Sequence, residues 1–250
     1  MSLSHGVNIT IEQFEQSEQV NGFFLISLTL QDELLFEEAI GKVFYLNEAP
    51  DNELMLFQHA KHNQTHQYQF LTQKPIAKEI FTRPGKLMSS SHSSFINPDP
   101  QQPLLILASD LAMANAFAVA KHRSNQKADL KLDASTVVVL ESNDAFPFTV
   151  KPARYLMPEM PPQAIGACTL LEDWKIQNRL VSSIGLPGCV DGDLSELFAY
   201  WVNKMQNQID NSDEKKWQVL LLTNKITQQK CLQISQDKSW LTVQAFNINC

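Results

Sequence analysis

Apolar positions in the first third of the chain fall in short runs cut by polar and turn-forming residues. The runs Val7–Ile11, Gly22–Leu30, Ile40–Ala49, Glu53–Gln58, Tyr68–Thr72 and Ile76–Phe81 are rich in β-branched and aromatic residues. Breaks such as Ala49-Pro-Asp-Asn52 separate them, the pattern of consecutive strands and turns. Gly22–Leu30, GFFLISLTL, partly alternates, as a strand with one buried face does. About six such strands predict a small antiparallel barrel. Ser89–Gln102, SSSHSSFINPDPQQ, then interrupts the pattern. It predicts a linker at 89–102 between a barrel domain at 1–88 and a second domain at 103–250.

The second part alternates strands with helices. Leu104–Leu107 has the continuous apolar character of a strand buried on both faces. Ser109-Asp110 predicts a turn and helix N-cap, and Ala112–Lys121 is rich in strong helix formers. Thr136–Leu140, TVVVL, and Trp217–Leu222, WQVLLL, predict two more buried strands, and Ala164–Cys168 a weaker one. Asp193–Gln206 predicts a helix capped by Asp193, with Leu194, Leu197, Phe198, Trp201 and Met205 on one face. Gln229–Gln233 and Leu241–Ala245 are too short to assign. The alternation implies a parallel, doubly wound sheet. The expected fold class is therefore β plus α/β, a barrel followed by a nucleotide-binding-type domain.

Composition narrows the function. The 250 residues are 44% hydrophobic, enough for a sizeable core, and carry a net charge of −7. That charge argues against a nucleic-acid or anionic-membrane partner, either of which favours a basic surface. No apolar run approaches a membrane span, and the opening MSLSHGVNIT lacks a signal-peptide core. A cytoplasmic location is expected. Cys168, Cys189, Cys231 and Cys250 form no C-x-x-C pair, so free thiols are expected and no iron–sulfur cluster or other metal centre. His59, His62 and His66 allow a metal triad, but the polar KHNQTHQ around them favours a solvated loop.

Candidate ligand contacts gather at three places. Ser109, Asp110, Leu111 and Ala112 occupy the strand-to-helix turn where a nucleotide-binding domain holds phosphates. Such turns use glycines so that the backbone can approach the anion. This turn has none, and the Asp110 charge opposes phosphate; helix N–H contacts and a plain cap remain the two readings. Glu141 ends TVVVL, where an acidic residue can accept hydrogen bonds from ribose hydroxyls. Pro187-Gly188-Cys189-Val190-Asp191-Gly192 precedes the best-marked helix and holds two of the eight glycines. It is either a capping turn or one wall of a nucleotide cleft. The expectation is a positive φ at Gly188 and close approach of a ligand or the other domain at Gly192. Helix proximity would lower the Cys189 pKa, and Asp191 and Asp193 oppose that. Leu171-Glu-Asp-Trp174 and Arg179 are either a partner surface or a core anchor with Arg179 as its ion-pair neighbour. No nucleophilic catalytic set emerges from spacing.

Phe146-Pro-Phe148, Pro158…Pro161, Leu171-Glu-Asp-Trp174, Arg179-Leu180, Leu186-Pro-Gly-Cys189 and Asp191-Gly192 carry a family resemblance over roughly a quarter of the chain. The segment resembles bacterial ferredoxin-reductase-like proteins labelled as similar to the electron-transfer subunit of dihydroorotate dehydrogenase. Gly41-Lys-Val-Phe-Tyr-Leu46 is similar to the strand before their flavin motif. The resemblance implies FAD or FMN, NAD(P)H, and a redox protein as partner. It also exposes departures. The flavin motif resembles Arg-x-Tyr-Ser or Arg-Pro-x-Ser, whereas Leu54–His59 here has neither Arg nor Ser, and the only Arg before the linker is Arg83. The family's Cys-Gly-Pro would fall at Thr223-Asn224-Lys225, which places Asn224 beside the cofactor. A cluster-binding tail would begin around Val243–Cys250, which offers one Cys. Both cofactor sites are expected to be weakened or lost. Two functions follow: a diverged flavin and NAD(P)H electron-transfer protein, or a non-catalytic binding or regulatory module on the same fold.

Overall fold

The computed structural model describes residues 8–62, 65–77, 79, 85–89, 95–209 and 216–247. Strands β1 (Asn8–Glu18), β2 (Phe24–Leu30), β3 (Phe44–Leu46), β4 (Ala49–His62), β5 (Thr65–Thr72) and β6 (Lys86–Met88) close into a barrel in the order β1-β2-β5-β4-β3-β6. A short helix α1 (Phe36–Ala39) links β2 to β3. Closure removes the free edges that an open antiparallel sheet would expose.

Two sequence expectations in the barrel change. The closing strand is Lys86–Met88, paired with β1 and β3, rather than Ile76–Phe81. Ile76 is buried but outside any strand, and its N–H donates to Gln16 Oε1 at 2.8 Å. Residues 78 and 80–84, Arg83 among them, lie outside the described residues. Within KHNQTHQ, residues 61–62 and 65–67 are not loop but paired strand in a long hairpin, with His59 opposite Tyr68 and Lys61 opposite His66, and residues 63–64 lie outside the described residues. A polar run inside paired strands is a signal easily taken for a loop. The rings of His59 and Tyr68 stack at 4.5 Å, and His59 Nε2 lies 3.1 Å from His66 Nδ1. The side chain of His62 is outside the described set, and no metal-ligand cluster occurs among the described residues.

The second unit is a six-stranded sheet in the order β12-β11-β8-β7-β13-β14. Its strands are β7 (Leu104–Ser109), β8 (Thr136–Glu141), β11 (Gln177–Ser182), β12 (Val190–Asp191), β13 (Trp217–Thr223) and β14 (Leu241–Asn247), and all neighbours are parallel. Helices α2 (Met113–Leu130), α3 (Thr169–Asp173), α4 (Leu194–Ile209) and α5 (Lys225–Ser235) connect them. The expected strand Ala164–Cys168 shrinks to β10 (Gly166–Ala167), which pairs outside this sheet with β9 (Lys151–Pro152). Its place in the sheet goes to β11, QNRLVS. There Asn178 is fully buried, with its side chain bonded to both Cys168 N and Cys168 O.

Alternate residues on the sheet enter two cores. Leu104, Ile106, Ala108, Val138, Leu140, Leu220 and Leu222 face α2 and the barrel, in one cluster with Ile26, Leu28, Phe44 and Phe70. Leu105, Leu107, Val137, Val139, Val219 and Leu221 face α4, where Leu194, Leu197, Phe198, Trp201 and Met205 pack as their spacing predicts. Burial of both faces explains why the sheet strands are continuously apolar.

Candidate functional site

The chain lays down β7, β8, β11 and β12 in one direction, then returns to place β13 on the other side of β7. Strand order therefore reverses between β7 and β13, and their carboxyl ends form the crevice where open α/β sheets bind ligands. Ser109 and Thr223 end those strands, and their buried hydroxyls lie 2.6 Å apart. Asn224 follows and caps α5 by accepting a hydrogen bond from Thr227 N at 3.0 Å. The structure thus brings Ser109, Asp110, Leu111, Ala112, Glu141 and Asn224 to one edge of the sheet, with Ser109 directly opposite Glu141.

The turn departs from the expected N-cap. Neither Ser109 nor Ala112 makes a side-chain cap bond, because the Ser109 hydroxyl is engaged with Thr223 instead. Asp110 has φ +51° and starts a tight 3-10 turn through Leu111 and Ala112, both buried. This left-handed conformation is the one a glycine takes at least cost; Asp tolerates it better than most residues. The backbone shape of a glycine turn is kept, and a carboxylate fills it. Asp110 is exposed on its outer side, yet desolvation by the adjoining protein raises its pKa.

Glu141 is 4% exposed. Burial raises its pKa to about 7, against the hydrogen bond from Leu194 N and with further upward pressure from Asp110 and Asp193. That bond, 3.2 Å to Oε1, ties the end of β8 to the first residue of α4. Asp193 caps α4 reciprocally: its Oδ1 accepts from Glu196 N at 2.9 Å, and Glu196 Oε2 accepts from Asp193 N at 3.1 Å. This is a capping box. Lys230 on α5 reaches Asp193 Oδ2 at 2.8 Å. Burial pushes the Asp193 carboxyl up, but the hydrogen bonds from Lys230, Ser195 and Glu196 N win and hold it at about 2. Lys230 escaped the sequence reading, since no local pattern links it to a carboxylate so distant along the chain.

The Pro187–Gly192 segment divides in two. Asp191 lies on β12 beside Ser182, and Gly192 leads into the Asp193 cap. Gly188 turns away: its carbonyl accepts from Gly166 N at 2.7 Å on the β9–β10 hairpin. Pro187 is exposed and Cys189 is buried beside it. Gly188 has φ +81°, as expected. Gly192 also has a positive φ, +130°, and Glu196 Oε2 of its own helix cap stands where a Cβ would be. The Cys189 thiol is pushed up to about 11 by burial and by Asp191, so the helix does not activate it. Cys168 and Cys231 rise to about 11 and about 12, chiefly through burial, and Cys250 lies outside the described residues.

On the barrel side, Leu54–His59 belongs to β4, with Leu54, Met55 and Leu56 buried. Leu56 pairs with Phe70 and Gln58 with Gln69, so Phe57 is the extra residue of a bulge. A bulge re-aims a side chain and frees a carbonyl. Here Phe57 packs on Phe117 of α2 at 5.1 Å, and Leu56 O accepts from Asn115 Nδ2 at 2.9 Å. Asn115 Oδ1 also accepts from Gly41 N at 2.8 Å. The strand that the resemblance assigns to flavin is thus in direct contact with α2. In the Leu171–Trp174 segment, Glu172 pairs with Arg154 at 2.8 Å, whereas Arg179 donates to the carbonyls of Asn178 and Tyr155. The expected ion-pair role belongs to Arg154. Trp174 packs partly buried against the core.

No protein-family model matches the chain, and no curated protein matches it in sequence. Solved structures do match in shape. The chain is similar to the reductase GcoB from Amycolatopsis, with a TM-score of 0.58 and 11% identity over 99% of this chain and 72% of that one. It is similar to the ferredoxin-NADP+ reductase from Plasmodium falciparum, with a TM-score of 0.51 and 9% identity over 98% of each chain. It is similar also to the ferredoxin reductase in carbazole 1,9a-dioxygenase, with a TM-score of 0.54 and 9% identity over 96% of this chain and 68% of that one. At these identities the likeness establishes the fold, a closed antiparallel barrel joined to a parallel sheet, as in the ferredoxin reductases. Among the described residues no helix is long and apolar enough to cross a membrane.

Proposed function

We propose that this chain is a diverged member of the ferredoxin-reductase group that works as a non-catalytic binding or regulatory module. In this reading it has lost tight binding of NAD(P)H and flavin. One observation carries the reading: the carboxyls of Asp110, Glu141 and Asp193 gather at the carboxyl edge of the sheet, close enough for Asp110 and Asp193 to raise the Glu141 pKa. A dinucleotide pyrophosphate placed there would meet Asp110 in the very backbone position where a glycine admits phosphate. The N-terminus of α4, which could otherwise receive an anion, is already engaged by Glu141 and by the Asp193 cap. The donor set does not suit a phosphate. The flavin strand does not suit pyrophosphate either, since Leu54–His59 supplies no arginine and Phe57 rests on Phe117. A lost charge-assisted contact of that kind weakens binding by about thirtyfold. In the same proposal the barrel domain spans 1–88 and the α/β domain 103–250.

The alternative is electron transfer from NAD(P)H through a bound flavin to a redox protein. The end-to-end likeness to the Plasmodium falciparum ferredoxin-NADP+ reductase favours it. In that chemistry the flavin carries the electrons and the protein positions it. Titration with FAD, FMN, NADH and NADPH separates the two readings. The module reading expects no flavin band in the visible spectrum of the purified protein and no sub-micromolar binding of any of the four. A stoichiometric flavin, or sub-micromolar affinity for one, overturns it.

A further inference from the structure

At the opposite, amino-terminal edge of the sheet lies a cavity of about 520 Å³, in the size range of small-molecule sites. It is framed by the last turns of α2, the start of β8 and the α3–β11 turn. Three ammonium groups line it: Lys121, Lys127 and Lys175. The remaining wall is mixed: Trp174, Leu132, Ala128 and Ile176 supply an apolar part, and Ser124, Thr136 and Asp173 a polar one. Lys121 Nζ stands 4.8 Å from the centroid of the Trp174 ring, which fixes ammonium and indole together at the wall.

The lysines at this cavity are not held in ion pairs. None of the three lysines forms a salt bridge among the described residues. Asp173, also in the lining, is committed to Arg154 at 2.7 Å. Behind the wall sits Arg123, 2% exposed. Its guanidinium donates to Thr136 Oγ1 at 3.0 Å, to Asp99 O at 2.9 Å and to Gln102 O, and the Asp99 charge opposes the effect of burial without forming a salt bridge to it. Burial lowers the Lys127 pKa, the Arg123 charge lowers it further, and only Asp133 opposes them. Four cations thus converge in a chain that has 20 basic residues against 27 acidic ones.

We propose that this cavity binds a small anionic aromatic compound of the nucleoside phosphate class. The lysines would meet the phosphates, and the Trp174–Leu132 wall the ring. The site lies across the sheet from the β7–β13 crevice, so it stands whichever reading of that crevice holds.

Intrinsic tryptophan fluorescence tests this on the full chain. Trp174 is the tryptophan at the cavity; Trp201, Trp217 and Trp240 lie in the core beneath α4. AMP, ADP, ATP and inorganic tripolyphosphate serve as probes. The expected result is saturable quenching by ATP, with affinity at least tenfold above that for AMP and falling with added salt. Quenching should vanish in Trp174→Phe. Calorimetric ATP affinity should fall at least tenfold in Lys127→Ala/Lys175→Ala and stay unchanged in Lys204→Ala, an exposed lysine on α4 away from the cavity. Absence of ATP binding at millimolar concentration overturns the proposal. So does unchanged affinity in the double lysine variant, or tripolyphosphate binding as tightly as ATP, since the apolar wall would then add nothing.

Discussion

The carboxyl and amino edges of the six-stranded sheet deal with charge in opposite ways. At the carboxyl edge, Glu141 and Asp193 are answered from within: a helix N–H, a reciprocal cap and Lys230. At the amino edge, Arg123 is answered by carbonyls and a hydroxyl and Lys121 by a ring, and none of Lys121, Lys127, Lys175 and Arg123 forms a salt bridge among the described residues. The fold places its ligand crevice at the first edge, yet that is the edge whose polar groups are already occupied. Unspent binding capacity lies at the second. A topological switch point marks where a site can be built; the residues decide whether one is there.

The largest expected effect lies at the amino edge. Arg123→Met leaves three acceptors without their donor, and hydrogen bonds to a charged group are worth about 1.5 kcal/mol each at the low end. A loss of about 4 kcal/mol in urea unfolding is expected. A loss below about 1 kcal/mol would mean that Arg123 is not the buried anchor of this edge.

Next comes Glu141, which should work against the fold at neutral pH. Its folded pKa of about 7 stands above the ordinary 4.5. The stability linked to its proton is therefore fully present below about pH 4.5 and lost as pH rises through about 7. The full span is about 3 kcal/mol. Glu141→Gln keeps an acceptor for Leu194 N, so it should stabilise the protein at pH 8, do little at pH 4 and flatten the slope between. Denaturation of both forms at the two pH values checks this, and parallel slopes would refute a buried, protonatable Glu141.

Asp193 should behave in the opposite sense. Its folded pKa of about 2 lies below the ordinary 3.8, so its contribution is present above pH 3.8 and disappears as pH falls through 2. Asp193→Ala removes a cap and should cost about 1 kcal/mol at pH 7. Thermal melts should show no such loss if the α4 N-terminus is held by Glu141 alone. The smallest effect is Asp110→Gly. It relieves a left-handed backbone at φ +51° and should stabilise by about 0.5 kcal/mol. A destabilised variant would show that the Asp110 side chain holds the turn.

The sequence reading reached the architecture because it rests on patterns that burial enforces. Thr136–Leu140 and Trp217–Leu222 are apolar throughout because both of their faces are covered, and α4 shows its stripe because one of its faces is. Elements set by polar packing stayed hidden. β11 carries Asn178 and Arg179 inside the sheet, and nothing local announces that their partners are the Cys168 backbone and the Tyr155 carbonyl. The same holds at the crevice. The strand ends at Ser109 and Glu141 are legible in the sequence, and Asn224 follows from the resemblance, but Lys230 and the Ser109–Thr223 pair depend on sheet order. The lysine cavity draws on α2, the start of β8 and the turn after α3, and becomes one surface only when β8 and β11 lie side by side.

The bulge at Phe57 has a mechanical consequence. Because Phe57 and Asn115 join β4 to α2, the barrel interior and one face of the parallel sheet form a single continuous apolar body. Neither half can open to solvent without exposing the other. Heat or denaturant should therefore melt the chain in one cooperative step, with amides of β4 and β7 exchanging at a common rate. A barrel fragment ending at residue 88 would present the Phe57 face to water and aggregate.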